Sequence, residues 1–322
     1  MGKQIHFELT EKKENMWRNV KRQFERDFDS TNNGSFATKA RYFDTVGDRF
    51  GKYIAVHNRL QNVKNISAKH IYGYVDFLQA NGKSPAYIYT EMSAIRYWRK
   101  HSRCKNALPT NKKLNLEKRQ VGKFNRSFLD CEIKDMLALA EGMGRKDIVS
   151  GIELALHFGL RKNELVTLRV YQLENALELK QLHIEKGKAK GGQARDIPLN
   201  TKEQFEVLKR VLDHAYKEGK KSADYVFCDN HKNSVLKKKT AMTDWMSNHI
   251  DKILASDRKN QIKEGKKDRA DSGYGWHALR HTYAQRTEEM LISRGMSADR
   301  ARQEVSERLG HHRREVLKNY EE

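Results

Sequence analysis

The sequence predicts a mainly helical protein with two domains and a small antiparallel sheet in the second domain. Its 322 residues are roughly twice the length of a typical domain, and only three prolines interrupt potential helices. Apolar residues recur at intervals of three and four along most of the chain, which is the spacing of an amphipathic helix. This pattern stops in a polar, basic segment at 106–126. We therefore predict domains at 1–105 and 127–322, joined by a basic linker.

Three helices are predicted in the first domain. One begins near Ser35. A second begins at Ser67, which can act as an N-cap, and ends at Asn81 and Gly82. A third follows at once, because Ser84 and Pro85 suit an N-cap and a first helical position. The apolar positions that define these helices are Tyr42, Val46, Phe50 and Ile54, then Ile71, Tyr74, Val75 and Leu78, then Ile88, Met92, Ile95 and Trp98.

The second domain opens with two predicted helices and continues with short strands. The spacing of Ile133 and Met136 predicts the first helix, and the run 152–160 is apolar on nearly every side, which predicts a buried second helix. Alternating segments at 177–179, 182–184 and 196–199 predict strands. The basic, glycine-containing run KGKAKGGQAR would form the turn before the last strand. The polar stretch 256–272 is predicted to be a loop.

The charge balance favours a polyanionic partner. The chain has 63 Lys and Arg against 42 Asp and Glu, a net charge of +21, and its pI is near 9.7. Such a charge gives affinity for nucleic acid through counterion release, and general solubility is the alternative explanation. The sequence contains no run of ~18 apolar residues and no apolar N-terminal signal, so we expect a cytoplasmic protein. Its three widely spaced cysteines do not suit a disulfide framework or a CxxC metal site.

Four short segments of the second half carry residues suited to handling a phosphodiester. They are GLRKNEL with Arg161 and Glu164, the basic turn with Lys190, HALRHTY with His277, Arg280 and His281, and LGHHRREVLKNY with His311 and Tyr320. Taken singly, each has a simpler explanation, such as a helix cap, a solvated hairpin or an exposed terminal tyrosine. His277 and His281 have the i, i+4 spacing of zinc ligands, but the sequence offers no third ligand nearby, so we predict no metal site.

These residue types fit covalent catalysis of strand cleavage and rejoining. Rejoining without an energy source requires that the bond energy be stored, and a phosphotyrosine at Tyr320 would store it. Its phenol has an ordinary pKa of about 10, so a base is needed. The planar guanidiniums of Arg161 and Arg280 can hold phosphate oxygens whose charge grows in the transition state. His277 lies three residues before Arg280, so on a helix both point to one side.

In this order, the two arginines, the lysine, the histidines and the late tyrosine resemble the tyrosine recombinases, the family of phage-type integrases. The resemblance covers the chain from about Phe128 onward, and more loosely the helical first domain. It implies a two-domain tyrosine-recombinase architecture, with a helical core-binding domain and a mixed α/β catalytic domain. It also implies that no metal or other cofactor is needed, because arginines and a lysine take the place of a metal ion.

The resemblance assigns a role to each matched residue. Lys190 would be the general acid that protonates the departing 5′ oxygen. His277 would assist proton transfer, and His311 would hydrogen-bond the phosphate. Glu164 would orient neighbouring groups.

Two points stay open within this resemblance. Lys186 and Lys188 share the turn with Lys190, which is preferred only because it best matches the register counted back from the strand at 196–199. Only two residues follow Tyr320, whereas many members of the family continue into a helix that packs on a neighbouring protomer. The sequence therefore leaves open how protomers would dock, and whether the tyrosine acts in cis or in trans.

The resemblance also implies the partners of the protein. The first domain would contact double-stranded DNA, with Arg96, Arg99 and Lys100 as candidate contacts, although these charges could equally be the solvated face of a core helix. A homotetramer would assemble on DNA, and accessory DNA-bending or directionality proteins could assist it. No membrane partner is expected, and the protein would associate with the nucleoid.

The function predicted from these observations is site-specific recombination. The protein would cleave and rejoin DNA strands through a 3′-phosphotyrosyl intermediate, and so integrate or excise a mobile element. One alternative is a type IB topoisomerase or hairpin-forming resolvase, which shares this chemistry. Another is a non-catalytic DNA-binding protein with an architectural or regulatory role on the same fold.

Overall fold

The computed structural model describes residues 5–30, 36–116, 126–185, 194–263 and 274–310. The chain divides into two compact units, Met1–Gln120 and Val121–Glu322. The division falls within the segment predicted as a linker. Across the described ranges, no helix is both long enough and apolar enough to cross a membrane.

The first unit is a bundle of helices. Their bounds are α1 Glu11–Asp29, α2 Phe36–Phe43, a π-helical segment Asp44–Phe50, α3 Gly51–His57, a 3₁₀ turn Val63–Asn65, α4 Ala68–Ala80 and α5 Pro85–His101. The three predicted helices are present, with α2, the π-helical segment and α3 together forming the one expected from Ser35. Sequence analysis missed α1. Thr10 caps this helix, and one of its faces is buried through Met16, Val20, Phe24 and Phe28.

Local signals set the ends of α4 and α5. The backbone N–H of Ser67 donates to Nδ1 of His70 at 3.0 Å, which closes the first turn of α4. Gly82 ends that helix with φ +67, a left-handed conformation that suits glycine. The Ser84 hydroxyl then accepts the Tyr87 N–H at 3.3 Å, and Pro85 begins α5.

Part of the predicted linker packs on the first unit. Leu114 is buried in its core, and Leu108 and Leu116 pack against that core. Arg96 donates through Nη2 to the Pro109 carbonyl at 2.9 Å. The first unit therefore extends beyond residue 105, because apolar leucines within an otherwise polar segment return to the helical core.

The second unit contains the sheet and the remaining helices. Their bounds are α6 Asp130–Gly142, α7 Lys146–Phe158, α8 Lys162–Val166, α9 Val170–Leu179, β1 Gln181–Ile184, β2 Arg195–Pro198, α10 Lys202–Lys217, α11 Lys232–Ile253, α12 Ser256–Lys263, α13 Trp276–Ser293 and α14 Ala298–Arg308. The strands β1 and β2 pair antiparallel, with Leu182 opposite Ile197. The buried helix predicted from 152–160 is α7, which packs against α13.

Two secondary-structure predictions were wrong. The segment 177–179 is the end of α9 and not a strand, because the Gln172 side chain caps the start of the helix and Leu173 and Ala176 give it a buried face. Residues 256–263 form α12 and not a loop. Arg258 on that helix is 3.2 Å from buried Glu132, so an ion pair holds a helix with little apolar character. The rest of that predicted loop lies outside the described residues.

Candidate active site

Arg161 stands at the junction between the buried helix α7 and the short helix α8. Gly159 ends α7 in a left-handed conformation with φ +59, so the chain turns sharply just before Arg161. Arg161 is the N-cap of α8, and its backbone N–H donates to Glu164 Oε2 at 2.8 Å. Its guanidinium Nη1 also donates to Glu164 Oε1 at 3.0 Å. The arginine is therefore fixed at both ends by one carboxylate, and its side chain stays 23% exposed.

Arg280 approaches the same place from α13 and is completely buried. Its Nη1 donates to the Gly159 carbonyl at 2.5 Å, and its Nη2 donates to the Leu309 carbonyl. Nη1 also lies 4.0 Å from Glu164 Oε2. The buried charge is thus held by two main-chain oxygens and a nearby carboxylate, as a buried cation requires.

The carbonyl oxygen of Leu309 accepts from both predicted catalytic arginines. Arg161 Nη2 donates to it at 3.3 Å, and Arg280 Nη2 is its second donor. Leu309 directly follows α14, so the end of that helix presents an oxygen to the two guanidiniums. The structure therefore brings Arg161 and Arg280 close enough to act on one oxygen-bearing group, although 148 residues separate Arg161 from Leu309.

A third arginine, which sequence analysis missed, completes this cluster. Arg195 on β2 forms a bidentate pair with Glu164, with Nη1 to Oε1 at 2.9 Å and Nη2 to Oε2 at 2.8 Å. Its Nε donates to the Arg308 carbonyl at 2.7 Å. The alternation of the strand could have revealed this arginine, because Arg195 shares the buried face of β2 with Ile197. An arginine on a core-facing position requires a buried acceptor.

Glu164 is the common anion of the three arginines. Burial alone would raise the pKa of this carboxyl, but hydrogen bonds and charge from Arg195, the Arg161 N–H and the charge of Arg280 lower it to about 2. The carboxylate is therefore ionised throughout the physiological range. One carboxylate among three guanidiniums leaves the cluster cationic, which suits a phosphate ligand.

His277 lies one turn before Arg280 on α13, with its ring exposed at the surface. One side of His277 faces solvent, but the surrounding protein still desolvates the imidazole. This desolvation and the charges of Arg280, Arg161 and Arg126 lower its pKa to about 4. Its imidazole is therefore neutral at pH 7 and can accept a proton. The ring packs edge-on against buried His281, with centroids 5.0 Å apart. Among the described residues no three His, Cys, Asp or Glu side chains form a potential metal site.

The sequence from residue 128 to residue 322 matches the model of the phage integrase family. This match spans more than half of the chain and includes every residue of the arginine cluster. The chain belongs to this family of tyrosine recombinases. A comparison with curated protein sequences gave no match.

Solved structures of integrase-family members share the fold. The Tn1549 transposon integrase in complex with transposon right-end DNA has 14% sequence identity, a TM-score of 0.61 and 94% coverage of both chains. A lambda integrase dimer bound to a COC′ core site has 15% identity and a TM-score of 0.55, over 96% of this chain and 95% of the other. The XerH recombinase bound to difH has 17% identity and a TM-score of 0.54, over 97% and 95%. At these identities the likeness establishes the fold: a helical first part and a mainly helical second part with a small antiparallel sheet.

Several predicted site residues lie outside the described parts of the chain. These are Lys186, Lys188 and Lys190 of the predicted turn, and the C-terminal His311 and Tyr320. Their predicted roles stay predictions. The described chain ends at Gly310, directly beside the Leu309 carbonyl at the centre of the cluster, and β2 begins five residues after Lys190.

The predicted DNA contacts of the first unit lie at the end of α5. Besides the contact of Arg96 with Pro109, Arg99 Nε donates to the Asn106 carbonyl at 2.7 Å, whereas Lys100 is exposed. Two of these three side chains therefore hold the following segment against the helix. Sequence analysis had no signal for these contacts, because their acceptors are backbone carbonyls.

Proposed function

We propose that this integrase-family chain is a site-specific DNA recombinase that cleaves and rejoins strands through a 3′-phosphotyrosyl intermediate. The observation that carries the proposal is the convergence of Arg161 and Arg280 on the single carbonyl oxygen of Leu309. Two guanidiniums that share one acceptor can also share the non-bridging oxygens of one phosphate. Integration or excision of a mobile element is the role that we infer for this activity.

The chemistry would take place in two balanced steps. In the first, the phenol oxygen of Tyr320 attacks the scissile phosphorus while its proton passes to the neutral ring of His277. The bond between phosphorus and the 5′ oxygen breaks, and Lys190 protonates that oxygen. In the second step a 5′ hydroxyl attacks the phosphotyrosine, the proton movements reverse and the phenol is released. His311 would hydrogen-bond the phosphate throughout.

Phosphate binding would adjust the pKa of His277 to its task. The charges of Arg280 and Arg161 lower this pKa in the free protein. A bound phosphate carries negative charge between the same groups and offsets their repulsion, so the pKa of the ring would rise. His277 would therefore be a stronger base with DNA bound than without it.

Arg280 is fully buried, so a phosphate needs a route to it. Arg161 is partly exposed and provides the first contact. We expect a phosphate oxygen then to replace the Leu309 carbonyl between the two guanidiniums. The chain would move at Gly310, which already has a left-handed φ of +65. Glu164 and Arg195 would act as positioning residues.

The two units would have different functions, catalysis and DNA binding. The catalytic unit corresponds to the predicted domain 127–322, and the helical unit would bind double-stranded DNA as a core-binding domain. Because 106–116 packs on the helical unit, we place the connection between the domains after residue 116. A homotetramer on DNA, with accessory DNA-bending or directionality proteins, would act at the nucleoid.

A trapping experiment tests this proposal. Duplexes that bind the protein are first selected from a random-sequence pool, and then prepared with nicks at successive positions so that the cleaved fragment dissociates. Denaturing electrophoresis should show a covalent complex with the wild-type protein and with few of the nicked duplexes. Binding without any covalent complex would indicate the non-catalytic DNA-binding alternative. Relaxation of supercoiled plasmid without a preferred site would indicate a topoisomerase.

A further inference from the structure

An open groove of about 450 Å³ extends from the candidate active site along the catalytic unit. Arg161 and His277 line this groove. Lys239, Thr243 and Ser247 of α11 line it as well. The groove therefore brings polar side chains of α11 beside two of the predicted site residues.

Two lysines of this groove form no ion pair with a carboxylate of the described residues. Lys162 and Lys239 are both half-buried, and among the described residues neither has an Asp or Glu oxygen within 4.0 Å. Lys162 instead donates to the Thr243 hydroxyl. The neighbouring Lys238 provides a contrast, because it pairs with Asp147 at 3.2 Å.

The electrostatics of Lys162 favour binding of an anion. Burial and the like charge of Lys239 lower its pKa, and the charge of Asp244 only partly opposes them. Two half-buried ammonium groups that repel each other are both stabilised by an anion placed between them. The Thr243 hydroxyl itself donates to the Lys239 carbonyl at 2.8 Å, so the anion would be held by the two ammonium groups.

We propose that this groove binds a second phosphate of the cleaved DNA strand, adjacent to the scissile phosphate, between Lys162 and Lys239. The inference rests on the proposed function. Lys162 directly follows Arg161, and consecutive Cα atoms lie about 3.8 Å apart, so the two side chains can reach neighbouring phosphates of one strand. This second contact fixes the direction of the strand, because a single phosphate held by Arg161 and Arg280 can rotate.

Neutralising single phosphates tests the contact. A duplex selected from a random-sequence pool is synthesised with one methylphosphonate at a time, and its affinity is measured for the wild-type protein and for Lys162→Gln and Lys239→Gln. We expect methylphosphonate to weaken wild-type binding at each contacted phosphate, and by about five- to tenfold at the phosphate held by Lys162 and Lys239, the range of one charge-assisted contact. At that position the loss should shrink to less than twofold in both variants.

Two further variants control for charge and folding. Lys209→Gln removes a charge from an exposed position of α10, outside the groove, and should keep the full methylphosphonate effect. Lys162→Arg keeps the positive charge and should also retain it. Together, these two results would show that the methylphosphonate effect depends on a positive charge in the groove and not on the net charge of the protein.

The outcomes separate this proposal from the recombinase proposal. If the coupled phosphate lies next to the cleaved one, both stand. If coupling occurs but no duplex is cleaved, the groove binds phosphate and the recombinase proposal fails. If cleavage occurs but no position couples to Lys162 and Lys239, or the coupled position is distant from the cleaved one, the groove proposal is wrong. Failure to bind any DNA would overturn both.

Discussion

Arg195 and Glu164 form a buried bidentate ion pair, with nitrogen to oxygen distances of 2.9 and 2.8 Å. Glu164 also accepts the Arg161 backbone N–H, and Arg195 begins the strand that follows the predicted turn of Lys190. The pair therefore connects the segments that would supply a phosphate-binding arginine and the general acid. Its disruption should alter both stability and catalysis.

We expect Arg195→Ala to lower the free energy of unfolding of the catalytic unit by about 3–5 kcal/mol, because it leaves a buried carboxylate without its strongest partner. Glu164→Gln should also destabilise the protein. The double variant should lose clearly less free energy of unfolding than the sum of the two single losses, because it leaves neither Arg195 nor Glu164 as an unpaired buried charge. Urea unfolding of the four proteins measures this coupling, and additive costs would show that the ion pair has no energetic role.

Acid should weaken the catalytic unit through Glu164. Its folded pKa of about 2 lies below the ordinary value of 4.5, so its stabilising contribution is present above pH 4.5 and is lost as the pH falls toward 2. The full contribution is on the order of 3 kcal/mol, from about 1.4 kcal/mol per pKa unit. Urea unfolding from pH 6 to pH 2 should therefore show a steeper loss in the wild type than in Glu164→Gln. Parallel curves would contradict the assigned pKa.

Cleavage should depend on Arg161 and Arg280 far more than binding does. Alanine at either position should lower the rate of covalent-complex formation by roughly 100-fold or more, while the Kd for DNA changes much less, because many other lysines and arginines contact phosphates. Lysine should not restore the rate, since it lacks the planar fork.

Arg286→Ala is the matched control for these variants. Arg286 lies on α13 like Arg280, but it is exposed and pairs with Asp130 at the surface. Its removal should leave cleavage near the wild-type rate. If the Arg161 and Arg280 variants cleave as fast as this control, both arginines are structural.

Gly310→Ala should slow cleavage more than Gly219→Ala does at a comparable loss of stability. Its left-handed φ of +65 disfavours any side chain by roughly 1–2 kcal/mol, and an added Cβ would lie 3.1 Å from Cδ of Arg195. Gly219→Ala carries a similar backbone penalty, with φ +75 and open space around it. Cleavage and urea unfolding should therefore separate the two variants. Equal rates at equal stability would show that the chain does not move at residue 310.

The sequence predicted the parts of the site that depend on local spacing. His277 and Arg280 were expected on one helix, three residues apart, and α13 places them there. Arg161 follows an apolar run and a glycine in the sequence, and in the structure the left-handed Gly159 ends α7 just before it. Local patterns of this kind are set by helix geometry alone.

Contacts between distant segments could not be read from the sequence. The Leu309 carbonyl that joins the two arginines is a backbone group, which has no sequence signature. The wrong strand at 177–179 shows the same limit, because two leucines separated by one residue also fit the last turn of α9. Burial of Leu114 likewise depends on the shape of the first unit and not on the polar residues around it.

The most direct test of the central claim is the covalent adduct of Tyr320. Phenylalanine keeps the ring and removes only the nucleophilic oxygen, so Tyr320→Phe should bind the selected duplex with wild-type affinity. Denaturing electrophoresis with a nicked, labelled duplex, followed by peptide mapping, should place the adduct of the wild type on Tyr320 and show none in Tyr320→Phe. An adduct that persists in Tyr320→Phe, or that maps to another residue, would contradict the account.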